Sequence, residues 1–270
     1  MTFPAGSLRI TTAELATGRN ALWLPFLQHP ERSGILTDFD GTLAPIVEDR
    51  QAAVPLPEVP RLLSALSARF AVVGVISGRP VSYLASRLAC GPRVILAGLY
   101  GLEQRRGGDL QVHPDGHRWR EAVEAVARAA EQGAPEGVDV ERKGLAVALH
   151  VRRRPELIVW AEGWSTEQAR SRGLVARRGR MSFEVLPPLP IDKGTLVEEL
   201  STPLDAVCFF GDDSGDLPAF SALRRMREAG KATLAVGVAS PEQPGDLAGA
   251  VDLLVDGPEE AVALLAGLAG

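Results

Sequence analysis

Two aspartates stand one residue apart near the start of the chain, directly after a short apolar run. The run covers residues 34–37, Asp38 and Asp40 follow it, and Gly41 and Thr42 come next. If the run is a buried strand, both carboxylates lie just past its carboxyl end, where open α/β sheets bind their ligands. Two neighbouring acids repel one another and raise each other's pKa unless a cation lies between them. The pair therefore predicts a bound divalent metal, and oxygen ligands favour Mg²⁺.

Three further polar clusters each follow an apolar run or open a predicted helix. Parallel strands that point the same way bring their carboxyl-end loops to one rim of the sheet. We therefore expect these clusters to converge on the aspartate pair. The clusters are Ser77, Lys193, and Asp212 with Asp213.

Together, these side chains have the types that phosphoryl transfer needs. Asp38 would attack phosphorus as the nucleophile and form an aspartyl-phosphate. Asp40 would protonate the leaving oxygen and then deprotonate the hydrolytic water. Ser77 and Lys193 would hold the phosphoryl oxygens, because a spread negative charge needs preorganised donors. The predicted ligands of Mg²⁺ are Asp38, Asp40, Asp212 and Asp213.

The elements that carry these residues alternate between apolar strands and helices about every 30 residues, which is typical of a parallel sheet. The predicted strands of this kind end near residues 37, 76, 97, 210, 238 and 255. Predicted helices include residues 11–28 and 61–69.

The composition changes between residues 105 and 188, where charge increases and hydrophobic runs shorten. Alternating strands with one polar face predict a sheet that is covered on one side only. The predicted strands here are residues 110–112, 145–151 and 181–186, and the predicted helices are residues 118–132 and 156–172. The expected fold is α/β, with a Rossmann-like parallel-sheet core domain (residues 1–104 and 189–270) and an inserted α/β cap domain (residues 105–188).

The overall composition is that of a globular protein. The chain has 270 residues, of which 46% are hydrophobic, so it is long enough to bury a large core. Its net charge of −5 gives no indication of a basic surface that would bind nucleic acid or a membrane. Cys90 and Cys208 lack zinc-site spacing and are predicted to be reduced and buried. Without a signal peptide or a run of transmembrane length, we expect a cytoplasmic protein, with a monomer as the working expectation.

The four clusters, in this order, resemble the four motifs of the haloacid-dehalogenase-like phosphatase superfamily. The matching segments are Asp38-Phe-Asp-Gly-Thr42, Ser77-Gly-Arg79, Asp192-Lys193-Gly194 and Gly211-Asp-Asp213. They span most of the chain, and the ordered set is far more specific than any one of its members.

A narrower resemblance is to the trehalose-6-phosphate phosphatase family. It depends on the segments Ile76-Ser-Gly-Arg79, Gly98-Leu-Tyr-Gly-Leu-Glu103, Glu141-Arg-Lys143-Gly-Leu145, Leu149-His-Val-Arg152 and Phe183-Glu-Val-Leu-Pro-Pro188. The resemblance implies Mg²⁺-dependent hydrolysis of trehalose 6-phosphate, with a small-molecule sugar phosphate as the partner. It also implies that Lys143, Arg152 and Glu184 of the cap contact sugar hydroxyls, and that Gly78, Arg79 and Glu103 bind substrate from the core side.

Two departures from the family pattern concern the surroundings of the metal site and the details of substrate binding. The last motif has Gly215 and Leu217 where the family usually has Thr and Glu, and Tyr100 stands where many members have His. Asp216 is compatible both with a metal ligand and with a helix cap. One alternative function is a phosphatase of another sugar phosphate, such as a sucrose or glucosylglycerate phosphate. The other is a non-catalytic sugar-phosphate-binding module.

Overall fold

The computed structural model describes residues 22–47, 49–179, 181–240 and 244–269. The chain divides into two compact units. The first contains the described residues of Met1–Leu110 and Ile191–Gly270, and the second contains those of Gln111–Pro190.

An eight-stranded sheet forms the centre of the first unit within the described residues, and one of its edge strands begins in that unit and ends two residues beyond it. Its strands are β1 (Ser33–Thr37), β2 (Val72–Ile76), β3 (Val94–Gly98), β4 (Glu103–Arg106), β5 (Asp109–Val112), β10 (Ala206–Gly211), β11 (Ala232–Ala239) and β12 (Leu253–Asp256). The order is β12-β11-β10-β1-β2-β3-β4-β5, parallel from β12 to β3 and antiparallel between β3 and β4. Every residue of β1 and β10 is buried, which explains their continuous apolar sequences.

Helices cover both faces of this sheet. On one face, Ile35 of β1 packs in a core with three helices and with Phe26 of a fourth, short helix, whereas Leu36 packs on the other face with three further helices. The helices of the first face are α2 (Val59–Arg69), α3 (Val81–Leu88) and α9 (Gly257–Ala269). Those of the second face are α6 (Lys193–Ser201), α7 (Leu217–Glu228) and α8 (Leu247–Ala250). A short helix, α1 (Leu24–Gln28), precedes β1.

The second unit contains a four-stranded antiparallel sheet and two long helices within its described residues. The strand order is β6 (Asp139–Arg142), β7 (Val147–His150), β9 (Ser182–Leu186), β8 (Val175–Gly179). The helices are α4 (Arg120–Gly133) and α5 (Ile158–Arg172). Val147 and Val185 pack with Val123 and Val126 of α4, so one face of this sheet carries the core.

The predicted parallel strands are confirmed in the first unit, as are strands and helices at the predicted places in the second. The segment 110–112, predicted as a strand of the insertion, is instead part of β5 in the eight-stranded sheet. Strands β4, β6 and β8 were not predicted, because charged residues interrupt their apolar pattern. Of the predicted helix 11–28, the structure describes α1, and residues 11–21 lie outside the described residues.

Two smaller predictions also have an outcome. Cys90 and Cys208 are buried free thiols, as expected. Among the described residues, each helix is too short or too polar to cross a bilayer.

Candidate active site

The carboxyl ends of β1 and β10 lie side by side and bring their acidic residues together. Thr37 is in register with Phe210, and the Asp38 amide donates a hydrogen bond to the Phe210 carbonyl at 2.8 Å. Both strands therefore end at the same level, with Asp38 beyond one and Asp212 beyond the other. Asp38 and Asp212 are 4% and 2% exposed.

Four carboxylates form a compact acidic group at this edge: Asp38, Asp212, Asp213 and Asp216. One oxygen from each lies within 4.8 Å of the others. Asp40, which the sequence placed among the metal ligands, is not in this group of described residues, and Asp216 takes the fourth place. The group is made of oxygen donors alone, the set that Mg²⁺ prefers.

Asp216 is fully buried and joins the acidic loop to the lysine. Its Oδ2 accepts hydrogen bonds from the amides of Asp212 and Asp213, at 2.9 and 3.1 Å. Its Oδ1 lies 2.6 Å from Nζ of Lys193. The signal in the sequence was present, since Asp216 stands four residues after Asp212 and at the start of a helix, where an acid folds back onto preceding amides.

Lys193 is the first residue of α6, an unfavourable place for a cation because the helix dipole is positive there. A capping box formed by Asp192 and Thr195 fixes this end of the helix. Nζ of Lys193 contacts Oδ1 of Asp38 at 2.9 Å as well as Asp216, and the side chain is 3% exposed. The carboxylates of Asp38 and Asp216 thus stabilise the buried ammonium group of Lys193, which is held in contact with Asp38.

The electrostatics of the group show what a cation would do there. Burial raises the pKa of Asp38 well above its ordinary value, with Asp216 and Asp213 adding to the rise and Lys193 opposing it. Burial, then Asp38 and the other two acids, raise the pKa of Asp212 to about 10. Burial alone would lower the pKa of Lys193, but the three acids around it raise it well above its ordinary value. One lysine does not balance these acids, so the donor set fits an added divalent cation.

Gly41 lets the loop after β1 approach this group. Its φ is +77°, and a Cβ at this position would lie 2.1 Å from Oδ2 of Asp212. The glycine after the two aspartates is thus explained by its left-handed backbone conformation and by its close contact with the carboxylate of Asp212.

Ser77 follows β2 and is 2% exposed. Its amide donates to the Ala97 carbonyl, and its Oγ accepts the Arg79 amide at 3.2 Å, which leaves its hydroxyl proton for another acceptor. Gly78 lies against the side chain of Tyr100. A Cβ on Gly78 would come within 2.8 Å of the tyrosine hydroxyl, so the close approach requires glycine.

Arg79 and Glu103, predicted to bind substrate, both have partners inside the first unit. The guanidinium of Arg79 forms two hydrogen bonds with the carboxylate of Asp40, at 2.8 and 2.7 Å. Oε2 of Glu103 accepts the Val81 amide at 3.0 Å, at the start of α3. The carboxylate thus satisfies an amide at the helix N-terminus.

In the second unit, Lys143 and Glu184 form a buried ion pair between Nζ and Oε1. They are 3% and 5% exposed, and Oε2 of Glu184 is buried without a hydrogen-bond partner. Glu141 lies beside the pair, 3.9 Å from Nζ of Lys143 and 3.0 Å from Nε2 of His150. Arg152 follows β7 by two residues and is half-buried. Glu141 and His150 were not predicted as site residues, although Glu141 shares the strand alternation of Lys143.

Comparisons with known proteins identify a family that this chain matches. A family model for trehalose-phosphatase matches residues 36–247. The trehalose-phosphate phosphatase of Mycobacterium ulcerans (strain Agy99) is 31% identical over 230 residues, covering 78% of this chain and 56% of that protein. That of Mycobacterium avium (strain 104) is 33% identical over 216 residues, covering 73% and 52%. The chain spans about half the length of these curated relatives.

Two solved structures show the fold. The C-terminal domain of the trehalose-6-phosphate phosphatase of C. albicans has a TM-score of 0.75 at 23% identity, covering 98% of this chain and 99% of that one. A haloacid dehalogenase-like hydrolase from Bacteroides thetaiotaomicron has a TM-score of 0.55 at 14% identity, covering 86% and 97%. The predicted fold class, an α/β haloacid-dehalogenase-like fold with a large, mostly parallel sheet, is confirmed.

Proposed function

The chain belongs to the trehalose-phosphatase family, and on this premise we propose that it hydrolyses trehalose 6-phosphate to trehalose and inorganic phosphate. The observation that supports the proposal most is the buried contact of Asp38 with Lys193, beside three further carboxylates at the carboxyl edge of a parallel sheet. A carboxylate held in this way is a nucleophile for phosphorus, next to a cation that attracts the phosphoryl oxygens.

The reaction runs in two halves on Asp38. An oxygen of Asp38 attacks phosphorus, the bond between phosphorus and the sugar oxygen breaks, and Asp40 gives that oxygen a proton. Asp40 then takes a proton from a water molecule whose oxygen attacks phosphorus. The bond to Asp38 breaks, and inorganic phosphate leaves with the carboxylate of Asp38 restored.

Lys193 and Ser77 hold the phosphoryl group during both halves. Nζ of Lys193 is already 2.9 Å from Asp38, so a phosphate attacked by Asp38 would lie within reach of the ammonium group. The hydroxyl of Ser77 has its proton to donate. Both donors are fixed before substrate arrives, which is the condition for stabilising charge in the transition state.

The proposed cofactor is Mg²⁺, held by Asp38, Asp212 and Asp213, with Asp216 next to them. When bound, Mg²⁺ would neutralise charge between the carboxylate of Asp38 and the incoming phosphate. Asp40 stays a predicted ligand, and its carboxylate would have to leave Arg79 to serve as one.

Sugar recognition is proposed for Lys143, Arg152 and Glu184 of the second unit. The ammonium group of Lys143 and the guanidinium of Arg152 offer donors for hydroxyl groups. The carboxylate of Glu184 offers acceptors, and its unpartnered Oε2 has acceptor capacity left. Gly78 and Glu103 of the first unit remain proposed substrate contacts. The alternative substrates, sucrose and glucosylglycerate phosphates, would need the same chemistry at Asp38 and differ in these sugar contacts.

The function is tested by measuring phosphate release from trehalose 6-phosphate, sucrose 6-phosphate and a glucosylglycerate phosphate in the presence of Mg²⁺. We expect trehalose 6-phosphate to have the highest kcat/KM by at least about tenfold, and Asp38→Asn to release no phosphate while keeping its melting temperature. A higher kcat/KM for another sugar phosphate would reassign the substrate. Turnover by Asp38→Asn near the unmodified rate would exclude the aspartyl-phosphate. If the unmodified protein releases phosphate from none of the three substrates, the result would favour the non-catalytic module.

A further inference from the structure

The carboxylate of Asp40 is held by an arginine on another loop of the first unit. Nε and Nη2 of Arg79 donate to Oδ2 and Oδ1 of Asp40, at 2.8 and 2.7 Å. This is the paired geometry in which a planar guanidinium fixes both the position and the rotation of a carboxylate. The side chain of Arg79 is 5% exposed, whereas that of Asp40 is 37% exposed. The arginine is thus the buried member of the pair, and the carboxylate is the member open to solvent.

Arg79 is itself fixed on its other side. Its guanidinium lies over the ring of Tyr83, 4.4 Å from the centroid. The hydroxyl of Tyr83 donates to the Ala53 carbonyl at 2.8 Å, and the Arg50 carbonyl, at 3.2 Å, is a second, more distant acceptor of the same proton. The Tyr83 ring also packs edge-on against Phe39, the residue between the two aspartates. Asp40, Arg79 and Tyr83 therefore form one continuous contact chain that leads back to the aspartate loop.

The backbone of Arg79 is equally constrained. Its amide donates to Oγ of Ser77, and its carbonyl accepts the Leu99 amide at 3.0 Å. Gly98 passes so close that a Cβ there would lie 2.7 Å from the Arg79 carbonyl oxygen. Leu99 and Tyr100 have positive φ values of 52° and 60°, which cost conformational free energy in residues with side chains. The fold thus holds this loop in an unfavourable backbone conformation next to Ser77 and Arg79.

We propose that Arg79 is a positioning residue for Asp40, with Tyr83 as its support, rather than a ligand of the sugar. The proposal depends on the function assigned to Asp40 above. A carboxylate has about four lone-pair positions, and the guanidinium takes two of them, so the remaining positions can exchange a proton with the leaving oxygen or with water. Arg79 would keep those positions oriented toward the reacting atoms, because small errors in geometry reduce acid-base catalysis strongly.

The leaving group separates this role from a binding role. Release of a sugar alkoxide needs a proton from Asp40, whereas release of p-nitrophenolate needs none. For both substrates, kcat/KM reports steps up to the first irreversible one, which is formation of the aspartyl-phosphate. A residue that acts through Asp40 should therefore matter for trehalose 6-phosphate and much less for p-nitrophenyl phosphate.

The experiment compares Arg79→Gln, Arg79→Lys, Asp40→Asn and the double variant Asp40→Asn with Arg79→Gln on both substrates. We expect Arg79→Gln to lower kcat/KM for trehalose 6-phosphate about 10- to 100-fold, and that for p-nitrophenyl phosphate less than about threefold. The double variant should match Asp40→Asn within about twofold, because Arg79 has nothing left to position. Arg79→Lys keeps the charge and loses the paired geometry, so its kcat/KM for trehalose 6-phosphate should lie between those of the unmodified protein and Arg79→Gln. This variant also tests the proposal if Arg79→Gln fails to fold.

Arg87→Gln is the matched control. Arg87 lies over the same Tyr83 ring at 5.3 Å and donates to the Gln51 carbonyl, so its loss removes an arginine from the ring without touching Asp40. It should leave kcat/KM within about twofold of the unmodified value on both substrates. Equal losses on both substrates in Arg79→Gln, or a further tenfold loss in the double variant, would overturn the positioning role while the phosphatase activity stands. An unmodified enzyme that releases phosphate from neither substrate would overturn the proposed function, and this role with it.

Discussion

A buried ion pair such as Lys143 with Glu184 costs desolvation free energy that a well-packed apolar pair would not. Oε2 of Glu184 adds to this cost, because it is buried without a partner. Polar groups kept in such a place are the ones that a ligand can satisfy. At the scale of single residues, the pair is therefore the strongest candidate for sugar recognition in the second unit.

Removing both charges of the pair tests this assignment with the least damage to the fold. Lys143→Met combined with Glu184→Gln avoids the roughly 3–5 kcal/mol penalty of leaving one buried charge unpaired. We expect kcat/KM for trehalose 6-phosphate to fall at least about tenfold through lost hydrogen bonds to the sugar, and that for p-nitrophenyl phosphate to change less than about threefold.

Arg142→Gln serves as the control for the Lys143 variant. Arg142 precedes Lys143 but bonds to Glu124 and Glu131 of α4, on the surface. Its loss should change neither kcat/KM value beyond about twofold. Equal losses on both substrates in the double variant would remove Lys143 and Glu184 from sugar recognition.

At the scale of elements, the site depends on strand ends that lie at one level and on loops that pack tightly between them. The loop after β1 turns at Gly41 and contacts Asp212 beyond β10. The start of α6 presents Lys193 to Asp38 and Asp216. Each of these segments contacts carboxylates of another segment. A change in one of them should therefore alter metal binding by the carboxylates of its neighbour.

Gly41→Ala is expected to weaken Mg²⁺ binding by displacing Asp212. The new methyl group would overlap the carboxylate of Asp212, and alanine at a φ of +77° adds about 1 kcal/mol of backbone strain. Isothermal titration with Mg²⁺ should show a dissociation constant raised at least about tenfold.

Gly107→Ala is the control that measures the effect of backbone strain at a positive φ without overlap with Asp212. Gly107 has a φ of +62°, and a Cβ there meets no atom within 4 Å. This variant should lose a similar amount of stability and bind Mg²⁺ as the unmodified protein does. An unchanged dissociation constant in Gly41→Ala would show that Asp212 is not a ligand or that the loop relaxes freely.

For the whole molecule, a metal that binds only the folded state raises stability by mass action. With Mg²⁺ at about 100 times its dissociation constant, the gain is about 2.7 kcal/mol. We expect the melting temperature of the protein to rise with Mg²⁺ and to return to the metal-free value with EDTA, as measured by calorimetry. Phosphate release should cease with EDTA and resume with Mg²⁺ in excess.

Two variants decide which acids form the metal site. Asp213→Asn removes a member of the acidic group and should abolish the Mg²⁺-dependent shift in melting temperature. Asp40→Asn should keep the shift, because the carboxylate of Asp40 is bound to Arg79. A shift lost in Asp40→Asn would support the ligand set predicted from the sequence, with Asp40 in it.

Much of the fold could be predicted because buried parallel strands have continuous apolar sequences. The runs that became β1, β2, β3, β10, β11 and β12 are of this kind. Strands β6 and β8 were missed because they are the edges of their sheet, where charged residues face water and interrupt the pattern. The segment 110–112 reads as a strand in either unit, and only its hydrogen-bonded neighbours assign it to the large sheet.

The sequence by itself determined which residue types stand at the strand ends and at the start of α6, and therefore the proposed class of chemistry, because Asp38, Asp40, Lys193 and Asp212 belong to local motifs. Only the tertiary structure decided how these residues pair. Lys193 pairs with Asp216, 23 residues after it, and Asp40 pairs with Arg79, 39 residues away. Pairings over such separations depend on the register of parallel strands and the course of their loops, and no local pattern in the chain encodes either.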